Sequence, residues 1–158
     1  MNRYLILAIG VISFSASCNK NPNSFGDYAQ CKVDGQSYAP DNCSNCKICR
    51  IIRDSIFTFA LSSNNESVAM GIHDSSGIGT KIYQLSTSNR NGGSYANAMY
   101  LVNRFLTDSI HTGTLQITLI DKIHKKIEGT FSFKAYNLLQ NKIVTVTEGE
   151  IRLPYETN

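Results

Sequence analysis

Along most of this chain after residue 50, apolar side chains recur at every second position, a spacing that belongs to strands and not to helices. Phe57, Phe59 and Leu61 alternate with Thr58 and Ala60, and Val68, Met70 and Ile72 alternate with Ala69 and Gly71. Successive strand residues point to opposite faces, so each such run has one apolar side to bury. Leu115, Ile117 and Leu119 are expected to share a face, with a turn at Asp121 to Lys125 and a return through Ile127, Phe131 and Phe133. Ile82 to Leu85, Ile143 to Val146 and Ile151 to Leu153 read as further strands, with Glu148-Gly149 as a break or bulge between the last two. Asp74-Ser75-Ser76-Gly77 and Ser88-Asn89-Arg90-Asn91-Gly92-Gly93 supply turns. Ala96, Met99, Tyr100 and Asn103 fall at helical spacing, but Ala96 to Phe105 is read as strand in this context. Short strands punctuated this often predict an all-β fold: a single antiparallel β-sandwich or flattened barrel of about eight to ten strands. Asp34-Gly35, between Tyr28 to Val33 and Gln36 to Tyr38, predicts a type I′ hairpin closing one edge.

The N-terminus has a different pattern. Met1-Asn2-Arg3 is a short positive end, Tyr4 to Phe14 is apolar, and Ser15-Ala16-Ser17 places small residues before Cys18. The apolar run is too short for a bilayer core of about 30 Å, so it reads as an export signal. The expected organisation is a lipoprotein signal peptide over residues 1–17, a lipidated Cys18 with a tether over 18–27, and an all-β domain over 28–155. Ser15 stands where a lipobox carries an aliphatic residue, and Ser15 and Ser17 also fit an ordinary secretory site, which would release a soluble protein. Five cysteines leave one over in an exported chain, and lipid on Cys18 restores an even count. Several acyl chains hold a protein firmly where one does not. The polar, proline-containing tether, about eight residues long, has a reach of roughly 15 Å. Acidic residues are absent until Asp27, which favours the periplasmic face of the outer membrane over the cell surface.

Cys31, Cys43, Cys46 and Cys49 form the sharpest local cluster. An oxidising compartment predicts two disulfides among them, in one of three connectivities. Zinc or iron–sulfur ligation and a C-x₂-C redox pair are the competing readings.

Lys32-Val33-Asp34-Gly35-Gln36-Ser37-Tyr38 resembles the V-N-G-x-x-W opening of a family of small uncharacterised envelope lipoproteins from Bacteroidota, with Tyr38 in place of tryptophan. Gly113-Thr114-Leu115-Gln116-Ile117-Thr118, Asp121 and Glu128-Gly129-Thr130-Phe131-Ser132-Phe133 resemble that family's G-x-L-x-I-T … D … S-G-T-F-S-F hairpin. Val146-Thr147-Glu148-Gly149-Glu150-Ile151 is similar to its closing I-T-x-G-x-F. The resemblance implies a β-rich envelope lipoprotein and carries no catalytic residue with it.

Residues that bear chemistry are few. His73, His111 and His124 sit at strand ends or turns and read as solvated turn histidines, with convergence at one end of a barrel as the functional alternative. Arg90, Tyr95, Asn97 and Tyr100 form a candidate ligand site in which tyrosines stack on a ring while Arg90, Asn89 and Asn91 hydrogen-bond to it. Asp54-Ser55-Ile56 and Asp108-Ser109-Ile110 resemble the acceptor pattern of envelope O-glycosylation in the same bacteria. No G-x-S-x-G, H-E-x-x-H or phosphate-loop pattern occurs. The formal charge of +3 falls by one with Arg3 and is dispersed, which gives no ground for nucleic-acid binding or an anionic membrane face. The expected function is a membrane-anchored, non-enzymatic module that binds a small ligand or an envelope partner and needs no cofactor or resident metal. The alternative is a lipid-anchored enzyme or metal-handling protein built on the cysteine cluster or the turn histidines.

Overall fold

The computed structural model describes residues 26–40, 46–63, 65–87, 90–97 and 103–157. In chain order the strands are β1 (Tyr28–Val33), β2 (Gln36–Tyr38), β3 (Lys47–Ile52), β4 (Ile56–Ser62), β5 (Glu66–His73) and β6 (Ile82–Leu85). They continue as β7 (Gly92–Asn97), β8 (Arg104–Leu106), β9 (Gly113–Asp121), β10 (Lys126–Asn137), β11 (Lys142–Pro154) and β12 (Glu156–Thr157). The all-β expectation holds, with more strands than the alternation alone indicated. β3 begins within the cysteine cluster, ahead of the alternation that starts after residue 50, and β8 and β12 are too short to announce themselves by period.

All twelve strands belong to one sheet, ordered β12-β3-β4-β5-β7-β8-β10-β11-β1-β2, with β9 on β10 and β6 on β9. Every pairing is antiparallel except β12 with β3, which is parallel. The sheet folds over itself. Phe59 of β4 meets Phe131 of β10 with ring centroids 5.6 Å apart, and the β7 backbone at Gly93 lies against the Phe133 ring. β8 is the corner, pairing with β7 on one side and with β10 on the other. Tyr38 of β2 spans the layers: its hydroxyl donates to the Glu66 carbonyl at 2.6 Å and accepts the Ser63 N–H at 3.0 Å.

The core follows the period-two reading, shifted where bulges intervene. Val144 and Val146 point inward on β11, and so do Gly149, Ile151 and Leu153, three residues further on in the first step instead of two. Glu148, at φ 50°, absorbs the extra residue, so Glu148-Gly149 is a bulge inside one long strand and not a break. A second bulge corrects the expectation for Leu119. The β9–β10 register slips between Ile117 and Leu119, which turns Leu119 outward and lets Ile120 pack partly on the core. The Asp34-Gly35 hairpin forms as read, with both residues at positive φ (47° and 81°), and β2 ends the strand path. β3 and β4 are joined by the same kind of turn built from Arg53 and Asp54, at φ 49° and 56°, without any glycine.

Candidate functional site

A cavity of about 310 Å³ opens on the outer face where β5, β7 and β8 meet. Its floor is a consequence of strand parity. Gly71 of β5 pairs directly with Gly92 of β7, and Ala69 pairs with Ser94, so the outward positions of two adjacent strands carry almost no side-chain bulk. A Cβ built on Gly71 meets nothing within 4 Å; it would project into open space. Across the floor β8 raises Arg104 and Leu106, in register with Ala96 and Ser94. Arg90 completes the wall from the β6–β7 connection. That connection is held at both ends. Ser86 bridges to Asn91, the Arg90 N–H reaches the Thr87 carbonyl at 3.3 Å, and the Asn91 side chain accepts the His73 N–H at 2.8 Å. Arg90 itself has φ 58°, a left-handed turn position.

The cavity carries two basic side chains among small, hydroxyl and apolar residues. Arg90 and Arg104 line it with the hydroxyl residues Thr87 and Ser94, and among the described residues neither guanidinium is held in an ion pair. A guanidinium presents five donors in a planar fork matched to carboxylate or phosphate oxygens.

Of the expected ligand residues, Arg90 lines this cavity and Tyr95 does not. Tyr95 lies at an inward position of β7, packs on Phe105 with ring centroids 5.8 Å apart, and donates its hydroxyl to Glu66 Oε1 at 2.9 Å. Burial and the neighbouring Glu66 carboxylate push its hydroxyl pKa upward. Asn97 is exposed at the end of β7 and hydrogen-bonds Tyr95, while Asn91 serves the backbone of His73. Tyr100 and Asn89 lie outside the described residues. Arg104, Gly71 and Gly92 were missed by sequence reasoning, and no local signal marks them: only strand pairing brings 71, 92 and 104 together.

The cysteines depart from expectation. Cys31 on β1 and Cys49 on β3 are free thiols at inward, buried positions, so the pair of disulfides among Cys31, Cys43, Cys46 and Cys49 does not form as expected. Each thiol instead fills an inward strand position and packs in the hydrophobic core. Burial pushes both thiols up to about 12, which leaves them protonated and poor nucleophiles or metal ligands at neutral pH. Cys46 is disulfide-bonded, and Cys43 and Cys18 lie outside the described residues. Among the described residues no three His, Cys, Asp or Glu side chains gather as metal ligands would.

The histidines do not converge. His124 sits in the turn before β10, whereas the His111 ring stacks on Tyr136 near the far end of that strand, with centroids 4.9 Å apart. His111 Nδ1 also meets Asp108 Oδ2 at 2.8 Å, so it is a packed structural residue and not a solvated one. His73 ends β5 and is exposed.

A family model described as Domain of unknown function (DUF6252) matches residues 29–152. No curated protein and no solved structure matches the chain.

Proposed function

We propose, from the premise that this chain belongs to the DUF6252 family, that it is a lipid-anchored, non-enzymatic envelope lipoprotein of the Bacteroidota type that binds a small anionic ligand or an anionic group on a partner. Cys18 carries the lipid, the polar segment after it is the tether, and the β-domain stands on the periplasmic side of the outer membrane. The observation that carries the binding reading is the glycine-floored cavity with Arg90 and Arg104 on its walls. Two arginines lining one recess, with no ion pair of their own among the described residues, leave their charge to be met by a ligand, and each charge-assisted hydrogen bond is worth about 1.5–3 kcal/mol.

Thermal unfolding in the presence of inorganic phosphate, citrate and hexuronic acids tests it. The wild type gains stability with at least one of these anions in proportion to its concentration, and the Arg90→Ala/Arg104→Ala variant does not. An equal shift in both, or none in either, removes the anion reading. Fractionation tests the anchor separately: Cys18→Ala moves the protein from the membrane to the soluble envelope fraction, and continued membrane retention would end the lipid claim.

A further inference from the structure

The strand register shows which end of the domain faces the tether. β1 begins at Tyr28, which pairs with Arg152, and Arg152 pairs on its other side with Glu128. Two residues before Glu128 the chain leaves β10 into the β9–β10 turn, Lys122-Ile123-His124-Lys125. The segment outside the described residues therefore joins the fold beside this turn. The β10–β11 turn lies at the other end of the twelve-residue β10, roughly 40 Å away.

The near turn has an unusual surface. Ile123 is 87% exposed at its tip, flanked by exposed Lys122, His124 and Lys125, with Lys126 following. Several carboxylates in this part of the fold are engaged. Asp121 accepts the His124 N–H at 2.9 Å and meets its Nδ1 at 2.6 Å, and Glu156 pairs with Arg50 at 2.7 Å. Asp74 pairs with Lys81, while Asp54 in the β3–β4 turn has no ion pair among the described residues. The formal charge of the whole chain does not disclose this basic tip, which the run Lys122 to Lys126 writes locally.

We infer that the β9–β10 turn is a membrane-contacting toe: Ile123 inserts at the interface of an anionic phospholipid bilayer while Lys122 and Lys125 bind its headgroups. The inference rests on the lipid-anchor reading for its occupant. A tether of roughly 15 Å brings the surface within reach of this turn and leaves the opposite hairpin pointing away. A short basic segment beside an acyl anchor adds an electrostatic contact that orients the domain as well as holding it. The exposed Leu138 and Leu139, also aliphatic, mark the far hairpin and so provide an internal control.

The chain has no tryptophan, so a single introduced one is an unambiguous reporter. Ile123→Trp and Leu139→Trp forms of the full lipidated protein are reconstituted into phosphatidylethanolamine vesicles with or without phosphatidylglycerol, the acyl chains brominated. The expected result is blue-shifted, quenched emission from Ile123→Trp in phosphatidylglycerol vesicles only, none from Leu139→Trp, and loss of quenching in Ile123→Trp with Lys122→Gln and Lys125→Gln. Unquenched Ile123→Trp, or equal quenching of both reporters, overturns the proposal. Circular dichroism confirms that each variant is folded. If mass spectrometry finds no lipid on Cys18, the anchor reading fails by itself, and the soluble protein added to the same vesicles decides: quenching of Ile123→Trp keeps the toe, and its absence ends it.

Discussion

Two glycines on facing sides of the fold give opposite expectations for the same substitution. A Cβ on Gly113 would collide with the backbone and Cβ of Phe133 and with the Ser132 carbonyl, so Gly113→Ala destabilises by about 1–3 kcal/mol in urea unfolding. Gly71 has open space where its Cβ would stand, so Gly71→Ala leaves stability within about 0.5 kcal/mol. Gly71→Phe fills the cavity and abolishes any anion-dependent thermal shift while the domain stays folded. The buried thiols make a third residue-scale case. With Cys31 and Cys49 pushed up to about 12 by burial, iodoacetamide at neutral pH alkylates neither in the native protein and both after unfolding without reductant, as read by peptide mapping. Protection of either thiol after unfolding would mean that it is bridged. The sequence marks Gly113 and the cysteines as positions but not their surroundings, because what surrounds a glycine or a thiol is contributed by strands distant in the chain.

The two hairpins that bound β10 are built alike. Asp121 and Asn137 each open a four-residue loop with a side-chain acceptor for backbone N–H groups two or three residues on, and Lys125 and Asn141 each close it at positive φ (50° and 52°). The acceptor in the first is a carboxylate, and the backbone N–H and then the imidazole of His124 hold it below the usual carboxylate range. A depressed folded value contributes stability above the unfolded pKa of about 3.9, and that contribution is lost as pH falls through the folded value. The β9–β10 turn therefore loosens below about pH 4, seen as reduced amide protection of Ile123 and His124. Asp121→Ala loosens it at every pH and removes the pH dependence, whereas Asp108→Ala leaves it in place. Turn chemistry at Asp34-Gly35 and Asp121 to Lys125 was legible because it depends on adjacent residues. The bulge that turns Leu119 out was not, because it is defined against the partner strand β10.

At the scale of the molecule, sequence-distant pairings dominate: β1 joins β11, β8 joins β10, and the chain end at β12 returns to β3. Closing such contacts costs loop entropy before they return stability, so refolding falls in the range of milliseconds to seconds expected for all-β topologies, measurable by stopped-flow fluorescence of the tyrosines. Tyr155, buried between β11 and β12, is the side chain that fastens the end of the chain to the core. Tyr155→Ala costs about 3–5 kcal/mol, as large aromatic deletions do.

The all-β class and the edge hairpin were set by the sequence alone, because period-two alternation and positive-φ turn pairs are properties of neighbouring residues. Glu148-Gly149 was marked as a break or bulge, and its register with β10 made it a bulge. The tertiary structure alone decided the rest. It placed Tyr95 inside and Arg90 outside although only four residues lie between them, left Cys31 and Cys49 unbridged, and brought Gly71, Gly92 and Arg104 around one cavity. It also put the Ile123 turn beside the start of β1. The physical reason is the same throughout: a strand's own pattern says which residues share a face, but only its register with distant strands says what that face meets.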